Sequence, residues 1–219
     1  TYQFEYNLEA GETTCIDSRG HKEHFVHNAQ GKLVKHTDPN GNVWQYRYNA
    51  QGQKVTEIKP DSSEIKYSYT PYGQLESITQ PDGSVTKFAY NQLGQRVLTT
   101  LPDGQTITRK YSVAGLLQSE TFGDGRTVLY SYDKFGQLTQ HINKDGQVTK
   151  FVWNEQGELL AKHHNDELIR YSYDSLGRVN ATINNAGLLT QYKYNEHGQL
   201  AQTIAFDEKA PENKQHQHF

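Results

Sequence analysis

Residues 171–179 read YSYDSLGRV. Close copies stand at regular intervals: YRYNAQGQKV at 46–55, YSYTPYGQL at 67–75, FAYNQLGQRV at 88–97, YSYDKFGQL at 130–138 and YKYNEHGQL at 192–200. The glycine of this stretch recurs at Gly31, Gly52, Gly73, Gly94, Gly115, Gly136, Gly157, Gly177 and Gly198. The step is 21 residues throughout, apart from one of 20. A second glycine series lies about halfway between: Gly20, Gly41, Gly83, Gly104, Gly125, Gly146 and Gly187, usually preceded by Asp or Asn. Ser62 fills one empty slot, and the shortened step loses its residue near Asp166 in HHNDEL. With Gly11 added, the two series take in every glycine except Gly123. A repeat of this period is read before anything else, because it decides the architecture.

Each series carries its own turn chemistry. In PDG at Pro81-Asp82-Gly83, and again around Gly104, proline presets the first corner, aspartate bonds its own backbone, and glycine takes the positive φ that closes the turn. In the other series Asn49, Asp133 and Asp174 are placed to accept a backbone N–H two residues on. Gly52, Gly136 and Gly177 then supply a left-handed residue, as do Gly73, Gly94 and Gly198. Between turns lie runs of six or seven residues, long enough for a strand and too short for a helix. One strand of each unit alternates: Trp44, Tyr46 and Tyr48 share a face, as do Ile65, Tyr67 and Tyr69, or Ile169, Tyr171 and Tyr173, with Gln45, Arg47, Lys66 and Arg170 between them. That is the period of a half-buried strand. The pairing register of the partner strand stays open by one residue, since it depends on bulges at the turns.

The expected fold is therefore all-β. About 18 to 20 strands form one antiparallel meander of tandem hairpins, roughly 90 Å wide if it were flat. Twist predicts a curved or spiralling sheet, with aromatic columns stacking along it. Residues 1–19 read as a degenerate first repeat, 20–205 as about nine repeats in one array, and 206–219 as a disordered tail.

Composition narrows function by exclusion. Hydrophobic residues make up 34% of the chain, with no Met but 15 Tyr, 8 Phe and 2 Trp. Mean hydropathy is −0.88, so the chain reads as ordered with a large polar surface. A net charge of −3 gives no electrostatic ground for nucleic acid. No apolar run has the length of a membrane span, and no signal pattern opens the chain. Cys15 is the sole cysteine, so there is neither an intrachain disulfide nor a thiolate cluster. His21, His24 and His27 cannot share one strand face, and His163-His164 are adjacent; metal binding is not expected. No phosphate loop or catalytic constellation is spelled out, so the expectation is a non-enzymatic chain without a cofactor.

The unit Tyr-Asp/Asn-x-x-Gly-x-Leu/Val, six residues, Pro-Asp-Gly, six residues, Tyr resembles the YD repeat of RHS-repeat proteins. That group includes the shells of insecticidal Tc toxins, wall-associated polymorphic toxins and teneurins. The resemblance implies an open segment of a hollow shell that surrounds or presents a C-terminal toxic effector for delivery to a rival bacterium or a host. It implies a secreted or cell-surface location. The implied partners are the rest of the shell, a toxin cargo, and secretion-machinery or cell-surface components. Shells of this kind resemble one another in ending with an Asp-Pro-x-Gly-Leu self-cleavage motif. Here DPNGN at 38–42 carries Asn42 in place of leucine and occupies an ordinary turn slot, so it reads as a turn. The alternative function is carbohydrate binding or adhesion through the aromatic face, with Trp44, Tyr46, Trp153 and Tyr171 as stacking candidates.

Overall fold

The computed structural model describes residues 2–208 and 210–218. Its regular elements are 21 strands, with no helix among the described residues. No helix is thus long and apolar enough to cross a membrane. Two compact units divide the chain, residues 1–107 and 108–219. In the first, β1 (Gln3–Asn7), β2 (Glu12–Ile16), β3 (Lys22–His27), β4 (Leu33–Thr37) and β5 (Val43–Tyr48) lead on to β6 (Lys54–Ile58), β7 (Glu64–Tyr69), β8 (Leu75–Thr79), β9 (Val85–Tyr90) and β10 (Arg96–Thr100). β11 (Thr106–Tyr111) lies at the division. The second unit holds β12 (Leu117–Phe122), β13 (Thr127–Tyr132), β14 (Leu138–Ile142), β15 (Val148–Trp153) and β16 (Leu159–His164). It continues through β17 (Glu167–Tyr173), β18 (Val179–Asn184), β19 (Leu188–Tyr194), β20 (Leu200–Asp207) and β21 (Ala210–His218). Within each unit every strand pairs antiparallel with its sequence neighbours.

The two turn series share one geometry. At the first, Asn49 N–H donates to Gln53 O (2.9 Å) and Gly52 N–H to Asn49 O (3.0 Å); at the second, Gln80 N–H donates to Ser84 O (2.8 Å) and Gly83 N–H to Gln80 O (2.9 Å). Each is a type I turn closed by a left-handed bulge residue. Seventeen glycines have positive φ, and Gly123, the one outside both series, is not among them. Ser62 (φ 67°) and Asn165 (φ 51°) take the same region where glycine is missing. DPNGN is an ordinary member of the second series: Asp38 N–H donates to Asn42 O at 3.0 Å.

What distinguishes the series is a second irregularity after the first kind of turn. Val55 is an extra residue between Arg47↔Thr56 and Tyr48↔Lys54, and Asn180 between Ser172↔Ala181 and Tyr173↔Val179. The same bulge follows the turns at Gly31, Gly73, Gly94, Gly136, Gly157 and Gly198. This fixes the register that the sequence left open.

Two expectations change. Residues 210–218 are a strand, not a disordered tail: Gln202 pairs with His218 and Asp207 with Ala210. The edge of β20 offers unpaired backbone groups that a polar segment satisfies without burying apolar side chains. Nor do the aromatic columns stack ring on ring. A meander puts an outgoing strand between successive aromatic strands, as in Tyr46↔Glu57↔Ile65. Rings of consecutive units therefore stand about 9.6 Å apart, beyond stacking range. The gap is bridged otherwise: Lys54 Nζ sits 5.5 Å from the Tyr46 ring centroid and 4.9 Å from that of Tyr67, and Arg178 lies 4.5 Å over Tyr194. Phe25, His36 and Trp44 do stack, at 4.6 and 5.2 Å, because a histidine ring fills the intervening slot. Val128 and Ile204 are the buried hydrophobic side chains among the described residues. The apolar face of each unit is thus half-buried by lateral neighbours rather than by a second layer.

Candidate functional site: the strapped edge and the aromatic face

One edge of the sheet in each unit is made of the Tyr-Asx-x-x-Gly turns, and there neighbouring hairpins separate. The ladder between β4 and β5 runs from Thr37↔Val43 to Lys35↔Gln45 and stops before Leu33. The Leu33 carbonyl would be orphaned. Instead Tyr48 Oη donates to it at 2.7 Å. The same strap joins Tyr69 to Lys54 O (2.8 Å), Tyr90 to Leu75 O (2.8 Å), Tyr173 to Leu159 O (2.9 Å) and Tyr194 to Val179 O (2.8 Å). Trp153 makes it through its indole N–H, 2.7 Å from Leu138 O. A buried carbonyl left without a donor costs about 1–3 kcal/mol, so each strap closes a gap that the bulge opens.

A second contact runs along the same edge. The side chain after each glycine reaches over the next turn: Gln53 Nε2 donates to Gly73 O at 2.8 Å. A Cβ on Gly73 would lie 3.2 Å from that nitrogen, and one on Gly94 would lie 3.2 Å from Gln74 Nε2. Glycine here serves both the left-handed backbone and the nesting of one turn on another.

The turn residues behave as their chemistry predicts. Asn49 Oδ1 accepts from the N–H groups of Gln51 (3.1 Å) and Gln53 (2.9 Å), and Asp133 Oδ1 from Phe135 (2.9 Å) and Gln137 (3.0 Å). Asp174 does the same for Leu176 and Arg178, and Arg178 Nε also donates to its Oδ2 at 2.8 Å. That Arg178 contact holds the Asp174 carboxyl below its ordinary value. Hydrogen bonds from Ser84 do so for Asp82, and from Asn42 for Asp38. These depressed carboxylates contribute stability that is present above their unfolded value, about 3.9, and lost as pH falls through the folded value. The melting temperature should therefore hold down to about pH 5 and fall below about pH 4. Asp174→Asn, which keeps the Oδ1 acceptor, should shallow the fall. Melting curves unchanged down to pH 2.5 would contradict this.

Of the four stacking candidates, Trp44 and Tyr46 lie in the first unit and Trp153 and Tyr171 in the second. Trp44 lies against His36, and Tyr46 lies beneath Lys54. Trp153 spends its N–H on a strap. Tyr171, half-buried, has its hydroxyl pKa pushed up by burial. The histidines are likewise dispersed. His21 Nδ1 is 2.9 Å from Asp17 Oδ2, whereas His24 Nδ1 is 3.1 Å from the Thr14 hydroxyl. Among the described residues no group of three or more metal-ligating side chains comes together. The strap was missed from sequence because its acceptor is a main-chain carbonyl. A signal existed, however. The first aromatic of Tyr-x-Tyr tolerates Phe88 and Phe151, while the second, on the same strands, is Tyr90 and Trp153, each with a donor.

A family model described as teneurin YD-shell matches residues 10–149, more than half of the chain. No curated protein matches. Among solved structures, the crystal structure of TcdB2-TccC3-TEV aligns with a TM-score of 0.73 at 14% identity, over 100% of this chain and 14% of that one. The Photorhabdus luminescens Tc holotoxin pore, with a TccC3 mutation, gives 0.71 at 16% identity over 100% and 14%. TcdB2-TccC3 gives 0.70 at 16% identity over 100% and 15%. At such identities the likeness is one of fold, and this chain spans only 14–15% of the length of those three structures. The repeat and the family model agree: the chain belongs to the teneurin YD-shell family of YD-repeat proteins.

Proposed function

We propose that this chain is a length of wall in a YD-repeat shell. The carrying observation is that each unit is a single strapped sheet with a half-buried aromatic face, a polar opposite face and no second layer among the described residues. A compact domain would bury that face in its own core, whereas a wall leaves it toward an interior. The matched solved structures, shell-type proteins of far greater length, support a role in enclosure. On this reading the enclosed object is a toxic effector segment of the same polypeptide, carried outside the producing bacterium to a rival cell or a host. The wall performs no chemistry itself. Secretion components or cell-surface groups would then meet the polar face.

Protease protection of the whole natural polypeptide tests the idea. A cargo segment should resist digestion while the repeats are folded, and become sensitive when they are unfolded by moderate urea. Equal digestion under both conditions would overturn it. The carbohydrate alternative makes a separate prediction: saturable glycan binding lost in Trp44→Ala.

A further inference from the structure

The turn at residues 38–42 differs from later turns of its series at the tip. Its third residue is Asn40, where five later turns hold Asp61, Asp82, Asp103, Asp124 and Asp145. Asn40-Gly41 is the one Asn-Gly pair in the chain. At the aspartate tips the side chain is engaged. Asp82 Oδ1 accepts from Ser84 N–H at 2.9 Å and Asp124 Oδ1 from Arg126 N–H at 2.9 Å, with Arg126 Nε on Asp124 Oδ2 at 2.7 Å. These bonds from Ser84 and Arg126 hold both carboxyls below their ordinary value. In the other turn series, Asn49 and Asn91 have both carboxamide atoms bonded, through Oδ1 to main-chain N–H groups and through Nδ2 to Gln53 and Gln95. The Asn40 carboxamide has no hydrogen-bond partner among the described residues, because Asn42 N–H donates instead to Asp38 Oδ1 at 2.8 Å. Asn40 and Gly41 are exposed, and a Cβ at Gly41 would meet nothing within 4 Å.

We propose that Asn40 is a self-modification site, where the chain deamidates itself through a succinimide shared with Gly41. The Gly41 backbone nitrogen, once its N–H lets go of Asp38 O (3.0 Å), loses its proton and attacks Asn40 Cγ. The new Cγ–N bond replaces the Cγ–Nδ2 bond, and Nδ2 leaves as ammonia. Water then opens the ring. Addition at Cγ restores the main chain and leaves aspartate; addition at the Asn40 main-chain carbon reroutes the chain through Cβ and leaves isoaspartate. No oxidant or reductant takes part. Glycine suits the second position because no side chain shields its nitrogen. The aspartate tips lack this route. Cyclisation there requires the neutral carboxyl, and the bonds from Ser84 and Arg126 keep Asp82 and Asp124 ionised. Deamidation adds a negative charge to the Asp-Gly edge. The aspartate product matches the repeat, whereas isoaspartate lengthens the backbone inside a turn closed by the Asp38 N–H to Asn42 O bond at 3.0 Å. The site stands whether or not the chain is a shell wall.

Incubation of the folded 219-residue chain at mildly alkaline pH, followed by tryptic digestion and mass spectrometry that separates aspartate from isoaspartate, provides the test. The peptide 36–47 should gain about 1 Da and yield both products before any other asparagine-containing peptide changes. Asp82 and Asp124 should stay as normal aspartate over the same period. Asn40→Gln should abolish the gain, because its longer side chain would have to close a larger ring. Retention of mass by 36–47, a gain that survives Asn40→Gln, or isoaspartate appearing at Asp82 or Asp124 as fast as at Asn40, would overturn the proposal.

Discussion

Gly94→Val should lower the stability of the chain by about 2 kcal/mol, against about 0.5 kcal/mol for its neighbour Gln95→Ala. Gly94 has φ +78°. A side chain there meets the following carbonyl at a cost of about 1–2 kcal/mol, and β-branching adds to it. The new Cβ would also press on Gln74 Nε2, disturbing the nesting of the turn at Gly73 on the turn at Gly94. Gln95→Ala leaves the backbone free and removes a side-chain bond from Asn91 Nδ2 at 2.8 Å. Urea titrations followed by far-UV circular dichroism would check the pair. Equal shifts in midpoint would remove the argument that this position is held by backbone conformation.

Tyr90→Ala should cost about 3 kcal/mol, the largest effect expected of a single truncation in the first unit. Roughly half comes from ring surface returned to water and half from the Leu75 carbonyl losing its donor. Tyr90→Phe separates the two, at about 1–1.5 kcal/mol. Trp153 gives the converse test. Trp153→Tyr keeps a donor where the repeat has tyrosine and should stay within about 0.5 kcal/mol of the parent, while Trp153→Phe should lose about 1 kcal/mol. Hydrogen exchange of the amides flanking Leu75 and Leu138 would show whether the loss is local, as expected where contacts run between sequence neighbours. If phenylalanine were neutral at both positions, the strap would have no energetic weight.

Turns were the most legible part of this fold, because a turn constrains single residues. Ser62 shows how far that reading reaches, since it fills an empty slot in the glycine phase and has positive φ; the shortened step, placed near Asp166, lies beside Asn165, whose φ is also positive. Strand alternation was legible for the same reason: Gln45 and Arg47 are exposed, whereas Trp44, Tyr46 and Tyr48 are half-buried. Pairing was less so. The bulge at Val55 or Asn180 shifts the register by one residue through main-chain geometry, and neither side chain announces it. Ring stacking was misread because periodicity in sequence does not say how many strands separate two copies in space. Residues 210–218 looked unstructured because a strand held chiefly by backbone pairing needs no apolar pattern.

The one short repeat shows where this architecture tolerates a change in length. The missing residue falls at the turn between β16 and β17, where Asn165 and Asp166 alone connect His164 to Glu167. The strap from Tyr173 still reaches Leu159, across 14 residues instead of 15. Each hairpin is thus pinned at one end and loose at the other, like a fan held at its rivet. Insertions and deletions at the Asp-Gly end are absorbed within a single unit. At the tyrosine end, a change of one residue would slip the donor past its carbonyl, so length there can grow only by whole hairpin pairs.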